Sequence, residues 1–130
     1  MISELGVEKM TKQELKNRTK RFAIDTIKFV ESLPKSKTND VISYQLIKSA
    51  TSVGANYRSA CRARSTAEFI SKLNIVIEEA DESMYWFEII EKVNGAERLH
   101  KENNELVAIF VASSKTIKET NYKSEFIYQK

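Results

Sequence analysis

Three kinds of side chain in this sequence could do chemistry: a run of carboxylates, a lone imidazole with a lone thiol, and a scatter of cations. The carboxylates Glu78, Glu79, Asp81, Glu82 and Glu88 lie in one short stretch. In a helical protein such a run raises a carboxylate-bridged metal pair. That site needs inward Glu residues from four helices, two of them in Glu-x-x-His motifs. The chain has a single His, His100, flanked by Lys101 and Glu102, so it cannot supply two such motifs. His100 reads as an incidental surface residue. Cys61 has no evident base, so neither a Ser-His-Asp nor a Cys-His nucleophile can be assembled. A Gly-rich phosphate loop is also absent. The expectation is a protein that is not an enzyme, with no cofactor, no metal and no small-molecule substrate.

The cations are the remaining chemistry. Arg18, Lys20, Arg21 and Lys28 fall in the first quarter of the chain, and Lys48, Arg58, Arg62 and Arg64 in the second. Clustered cations suffice to hold phosphates, and symmetry in an oligomer would multiply a modest patch. These eight residues are the candidate nucleic-acid contacts. A solvated basic face is the bland reading of the same pattern.

The elements that must carry these groups are helical. From about Thr11, Leu15, Thr19, Phe22, Thr26, Phe29, Val30 and Leu33 share one face at about 100° per residue. Pro34 ends that helix. Thr38, Asn39 and Asp40 are N-cap types, so a second helix is expected from near there to about Ala63. Its core stripe is Leu46, Ala50, Val53, Tyr57 and Ala60, with Ile47, Gly54 and Cys61 at the edge. Gln45, Ser49, Ser52 and Asn56 form a polar stripe beside it. Ser65-Thr-Ala-Glu68 matches a capping box and opens a third helix from about Thr66 to Asn94. Asn94-Gly95 ends it. A fourth runs from about Ala96 to Thr120, striped by Leu99, Leu106, Ile109, Phe110, Ser113 and Ile117. Residues 1–10 read as a flexible lead-in, 11–120 as the folded domain and 121–130 as a tail. Four long helices with short connections predict an all-α, antiparallel up-down-up-down four-helix bundle.

The third helix carries two apolar faces. Phe69, Leu73, Val76, Ile77, Ala80, Met84 and Phe87 make a core stripe, while Ile75, Trp86, Ile89 and Val93 lie roughly opposite, with Glu79 and Glu82 among them. A helix apolar on two faces has two things to pack against. In a chain of 130 residues the second is expected to be another subunit. Glu79 and Glu82 would then want cationic or hydrogen-bonding partners on a neighbour, with Lys48, Asn56, Arg58 and Arg62 as candidates. The candidate oligomer interface is Asn56, Ile75, Glu79, Glu82, Trp86 and Ile89.

Composition sets the frame. Net charge is +3 and the sequence pI about 8.9. The charge is unevenly spread: residues 1–64 hold thirteen Lys and Arg against six Asp and Glu, and residues 65–105 hold four against ten. That asymmetry serves a polyanion, or it pairs neighbouring helices and subunits. Apolar runs are short and interrupted by charge, and the first residues lack a signal-peptide pattern. A soluble cytoplasmic protein with no membrane partner is the default expectation.

The stretch Tyr44-Gln-Leu-Ile-Lys-Ser-Ala-Thr-Ser-Val-Gly-Ala-Asn56, followed by Arg64-Ser-Thr-Ala-Glu-Phe-Ile-Ser-Lys-Leu73, Glu78-Glu-Ala-Asp-Glu82 and Tyr85-Trp86, closely resembles the bacterial four-helix bundle proteins encoded in intervening sequences of 23S ribosomal RNA genes. The resemblance covers about Phe22 to Ile117. It implies an up-and-down bundle assembling as a ring-shaped homopentamer, with ribosomal or other RNA as a partner suggested by gene location. Similar pentameric bundles accompany reverse transcriptases in diversity-generating retroelements and bind nucleic acid there. This chain departs in being only mildly basic. It also carries Lys48 where many members have Arg, which keeps the charge but loses bidentate geometry. The expected function is a non-enzymatic, homo-oligomeric bundle that binds RNA or a ribonucleoprotein through basic faces of the first two helices. The alternative is a protein-interaction scaffold with no nucleic-acid role.

Overall fold

The computed structural model describes residues 10–94 and 96–128, with side-chain surroundings for 10–90 and 96–120. Four helices account for nearly all of it: α1 (Lys12–Glu31), α2 (Lys37–Cys61), α3 (Thr66–Asn94) and α4 (Glu97–Tyr128). No strand occurs among the described residues. Of the expected lead-in, residues 1–10, all but Met10 lie outside them.

Local chemistry sets the helix ends. Thr11 closes α1 with a full capping box: its hydroxyl accepts from the Glu14 amide at 3.0 Å and the Glu14 carboxylate accepts from the Thr11 amide at 3.0 Å. Ser32 caps the other end, ahead of Pro34. The second helix begins before the expected Thr38–Asp40 because Ser36 supplies the cap. Its hydroxyl accepts from the Asn39 amide at 3.0 Å, while the Asn39 side chain donates to Pro34 O at 2.8 Å. At α3, Ser65 accepts from the Glu68 amide at 3.1 Å, and the Glu68 carboxylate lies 3.9 Å from Arg64. The fourth helix continues past Thr120 to Tyr128. The expected separate tail from residue 121 is therefore helix through Tyr128, since nothing from Asn121 to Tyr128 is Gly or Pro.

Helices adjacent in sequence pack side by side, with α2 on α3 the most extensive contact and α1 on α4 the slightest. Diagonal pairs do not bring their backbones together. This is the arrangement of an up-down-up-down bundle. All five residues expected to stripe α2 are buried, as are Leu15 and Phe22, Leu73, Val76, Ala80 and Phe87, and Leu106, Ile109 and Phe110. Phe22 and Phe29 each pack on Phe87 at 6.1 Å between ring centroids, and Tyr57 on Phe110 at 5.3 Å.

Polar groups fix the alignment inside this core. The Ser49 and Ser83 hydroxyls lie 2.9 Å apart across the α2–α3 contact, both buried. The Asn103 amide donates to Ala80 O at 3.0 Å, and its Oδ1 has no partner among the described residues. Gly54 of α2 lies against Thr19 of α1. A Cβ built on it would sit 3.2 Å from Thr19 Oγ1. Thr19 is itself held by a hydrogen bond to Leu15 O at 2.9 Å. The absent side chain is thus what lets α1 and α2 approach.

Candidate nucleic-acid interface

The turn of α1 sends its polar residues to two flanks. Toward α4, a cleft of about 700 Å³ is lined by Arg18, Arg21, Arg98 and Lys101 and equally by Glu14, Asp25, Glu102 and Glu105. Four cations meet four acids there. Arg18 holds Glu102 at 2.7 Å and Glu105 at 2.8 Å, and Arg98 lies 3.9 Å from Asp25. The Glu102 hydrogen bond pushes the Arg18 guanidinium even further above its ordinary pKa. Arg18 is therefore committed to α4 rather than offered to a ligand.

Toward α2 the balance is different. A cleft of about 440 Å³ runs between the helices, lined by Lys16 and Lys20 of α1 and by Arg58 and Arg62 at the end of α2, with Gln13, Asn17 and Thr51 among the polar neighbours. No acid lines it. Among the described residues none of the four cations lies within 4.0 Å of a carboxylate. The Gly54–Thr19 contact forms the floor of this cleft. Close helix approach thus sets the spacing between the two basic rows. Unbalanced charge in a concave track focuses potential outward.

Of the eight cations chosen from sequence, Lys20, Arg58 and Arg62 converge here. Lys16, which sequence reading passed over, completes the group; its place one turn before Lys20 was the available signal. The other five are elsewhere. Arg18 and Arg21 line the balanced α4 flank, and Lys28 lies beside Asp25 and Arg98 on the same side. Arg64 faces Glu68. Lys48 reaches toward α3, where its charge acts on Glu79.

The candidate oligomer residues also gather, on the outer surface where α2 meets α3. Ile75 is 41% and Ile89 37% exposed, and Tyr85 stacks edge-on against Trp86 at 5.0 Å. Trp86 is half-buried against the core, and its indole donates to Glu82 at 3.3 Å. Partial burial raises the Glu79 carboxyl above the ordinary 4.5; Glu82 adds to this, the Lys48 ammonium opposes it and Glu78 adds again. Asn56 donates to Ser52 O of its own helix at 2.8 Å. The cations expected from a neighbour are thus divided: Lys48 acts on Glu79 within one chain, and Arg58 and Arg62 belong to the α1 cleft.

Elsewhere the chemistry is sparse. Burial pushes the Tyr57 phenol up, with the Cys61 thiol beside it. The chain does contain one Glu-x-x-His, Glu97 to His100, but Glu97 is exposed and His100 Nε2 lies 3.8 Å from Glu88. Among the described residues no group of three or more His, Cys, Asp or Glu is placed to hold a metal ion. None of their helices is long and apolar enough to cross a membrane.

Residues 11–119 match the family model of the 23S rRNA-intervening sequence protein. The chain belongs to that family. A crystal structure of a protein of unknown function from the S23 ribosomal protein family of Bacteroides thetaiotaomicron is similar to it, with 31% sequence identity and a TM-score of 0.71 over 78% of this chain and 98% of that one. No curated protein matches. The family match covers α1 to α3 and α4 as far as residue 119, and includes both the basic cleft and the exposed apolar residues of α3.

Proposed function

We propose that the protein is a non-enzymatic, cytoplasmic, homo-oligomeric bundle that binds RNA through the α1–α2 cleft. The observation that carries this reading is the contrast between the two flanks of α1. One carries as many acids as cations, with Arg18 and Arg98 in ion pairs, whereas Lys16, Lys20, Arg58 and Arg62 face the other with no acid among them. A fold gains nothing from four like charges held together, so their convergence favours an anionic ligand. The phosphodiester backbone is a repeating anion that a row of cations can hold, and the family's connection with 23S rRNA genes makes RNA the choice. In this reading the protomers meet through the α2–α3 outer surface, where Ile75, Glu79, Glu82, Trp86 and Ile89 cluster beside Asn56, and close a ring of five.

The direct test is fluorescence anisotropy of labelled 23S rRNA segments with the purified protein at 50 and 200 mM salt. Binding that weakens steeply over that interval supports the proposal. Absence of binding at the lower salt refutes it and leaves a protein-interaction scaffold, a reading that the exposed apolar residues of α3 also favour.

A further inference from the structure

Beyond the cleft, its α2 row leads to an exposed aromatic residue. Tyr44, Lys48, Thr51, Ala55, Arg58 and Arg62 follow one another at three- and four-residue steps, so they form a single stripe up the helix. Thr51, Ala55, Arg58 and Arg62 line the cleft. Tyr44 stands two turns beyond Thr51, about 10 Å along the axis. On α1 the matching row is Lys16, Lys20 and Ile24, and Ile24 is 43% exposed. Beyond the four cleft cations, the α2 row runs through Lys48 to Tyr44 and the α1 row reaches Ile24.

Tyr44 is 65% exposed. Among the described residues its ring stacks on no other ring and its hydroxyl has no hydrogen-bond partner. The other aromatic residues of α1 and α2 are used internally: Phe22 and Phe29 pack on Phe87, and Tyr57 on Phe110. A large ring left in water beside a cation track does nothing for the fold. It is the arrangement that holds a nucleic-acid strand by its phosphates and accepts an unpaired base on the ring face.

Resting on the RNA-binding reading of the same cleft, we infer that its ligand is single-stranded RNA, with phosphates along Lys16, Lys20, Arg58 and Arg62 and one base stacked on Tyr44. A duplex fits less well. Its bases are already stacked on one another and unavailable to a ring, and its phosphates run on two strands across a wide minor groove. The track here is one interhelical cleft, closed at its floor by the Gly54–Thr19 contact.

The test uses the full chain, a fluorescein-labelled 12-nucleotide oligoadenylate and a 12-base-pair RNA duplex, with Tyr44→Ala and Tyr44→Phe variants. Loss of one stacked base weakens single-strand binding about 5- to 150-fold in Tyr44→Ala. Tyr44→Phe keeps the ring and restores the affinity. The salt slope of Tyr44→Ala stays at the wild-type value, because no cation has been removed, and duplex binding is unchanged. Far-UV circular dichroism should be identical throughout, since Tyr44 is not part of the core. Equal single-strand affinity for wild type and Tyr44→Ala, or an equal loss on the duplex, overturns the inference. If the wild type binds RNA and the cations control that binding while Tyr44 does not, the RNA reading stands and only this inference fails. If the wild type binds neither probe at 50 mM salt, both fail together.

Discussion

Removing half the charge of the α1–α2 cleft should halve the salt dependence of RNA binding. The perturbation is Lys20→Gln with Arg58→Gln, one cation from each row, both exposed and free of ion pairs among the described residues. For a single strand, log K falls with log salt at about 0.7 per phosphate neutralised. With all four cations engaged, the slope is about −2.8 per protomer, so affinity drops about 50-fold between 50 and 200 mM salt. With two, the slope becomes about −1.4 and the drop about 7-fold. The assay is fluorescence anisotropy across that salt range. Arg21→Gln is the control, compared per charge: it removes one cation from α1, but on the flank where Glu14, Asp25, Glu102 and Glu105 balance the cations. The argument is refuted if the double variant keeps the wild-type slope, or if Arg21→Gln lowers the slope by as much per charge as the cleft residues do.

Ile75→Asp with Ile89→Asp places charge on the exposed apolar surface of α3 without entering the core. The particle mass by multi-angle light scattering should fall to that of one chain with helix content retained; an unchanged mass would move the subunit contact elsewhere. Glu79 holds its proton to higher pH when folded than when unfolded, so its ionisation opposes folding. That penalty is absent below the ordinary value of 4.5 and complete once the pH exceeds the folded value. Glu79→Gln should therefore raise the melting temperature at pH 7, with the gain vanishing in acid; a gain that persists in acid would point to some other cause. Gly54→Leu forces atoms into the Thr19 contact and should cost roughly 1–3 kcal/mol in chemical denaturation, weakening RNA binding as the basic rows separate. Asn103→Leu removes the buried amide's 3.0 Å hydrogen bond to Ala80 O along with its unpartnered Oδ1, and should cost about 1 kcal/mol in chemical denaturation; unchanged or higher stability would mean that this bond contributes nothing to holding α4 on α3.

The sequence by itself determined the four helices and the faces they bury. A stripe such as Leu46, Ala50, Val53, Tyr57 and Ala60 needs only the 3.6-residue turn, a local property, and all five are buried. Pro34 and Ser65 mark boundaries through bonds made within a few residues. The start of α2 at Ser36 and the capping box at Thr11 are also local, carried by Ser36 and by the Thr11-Glu14 spacing, and differ from the expectation by a turn or less. The expected end of α4 near Thr120 has no Gly or Pro to enforce it, and the helix runs on to Tyr128.

The tertiary structure decided how the cations are sorted. Arg18, Lys20 and Arg21 are neighbours in sequence, yet Arg18 and Arg21 face acids of α4 while Lys20 faces the cations of α2. The turn per residue gives the angle between those side chains. It does not say which helix stands on which side. That is fixed by the packing of the bundle, through contacts such as Gly54 on Thr19 and Ser49 on Ser83, between residues 35 and 34 positions apart. Whether a cation is neutralised or left facing a ligand depends on that neighbour, so the cleft appears only once the four helices are assembled.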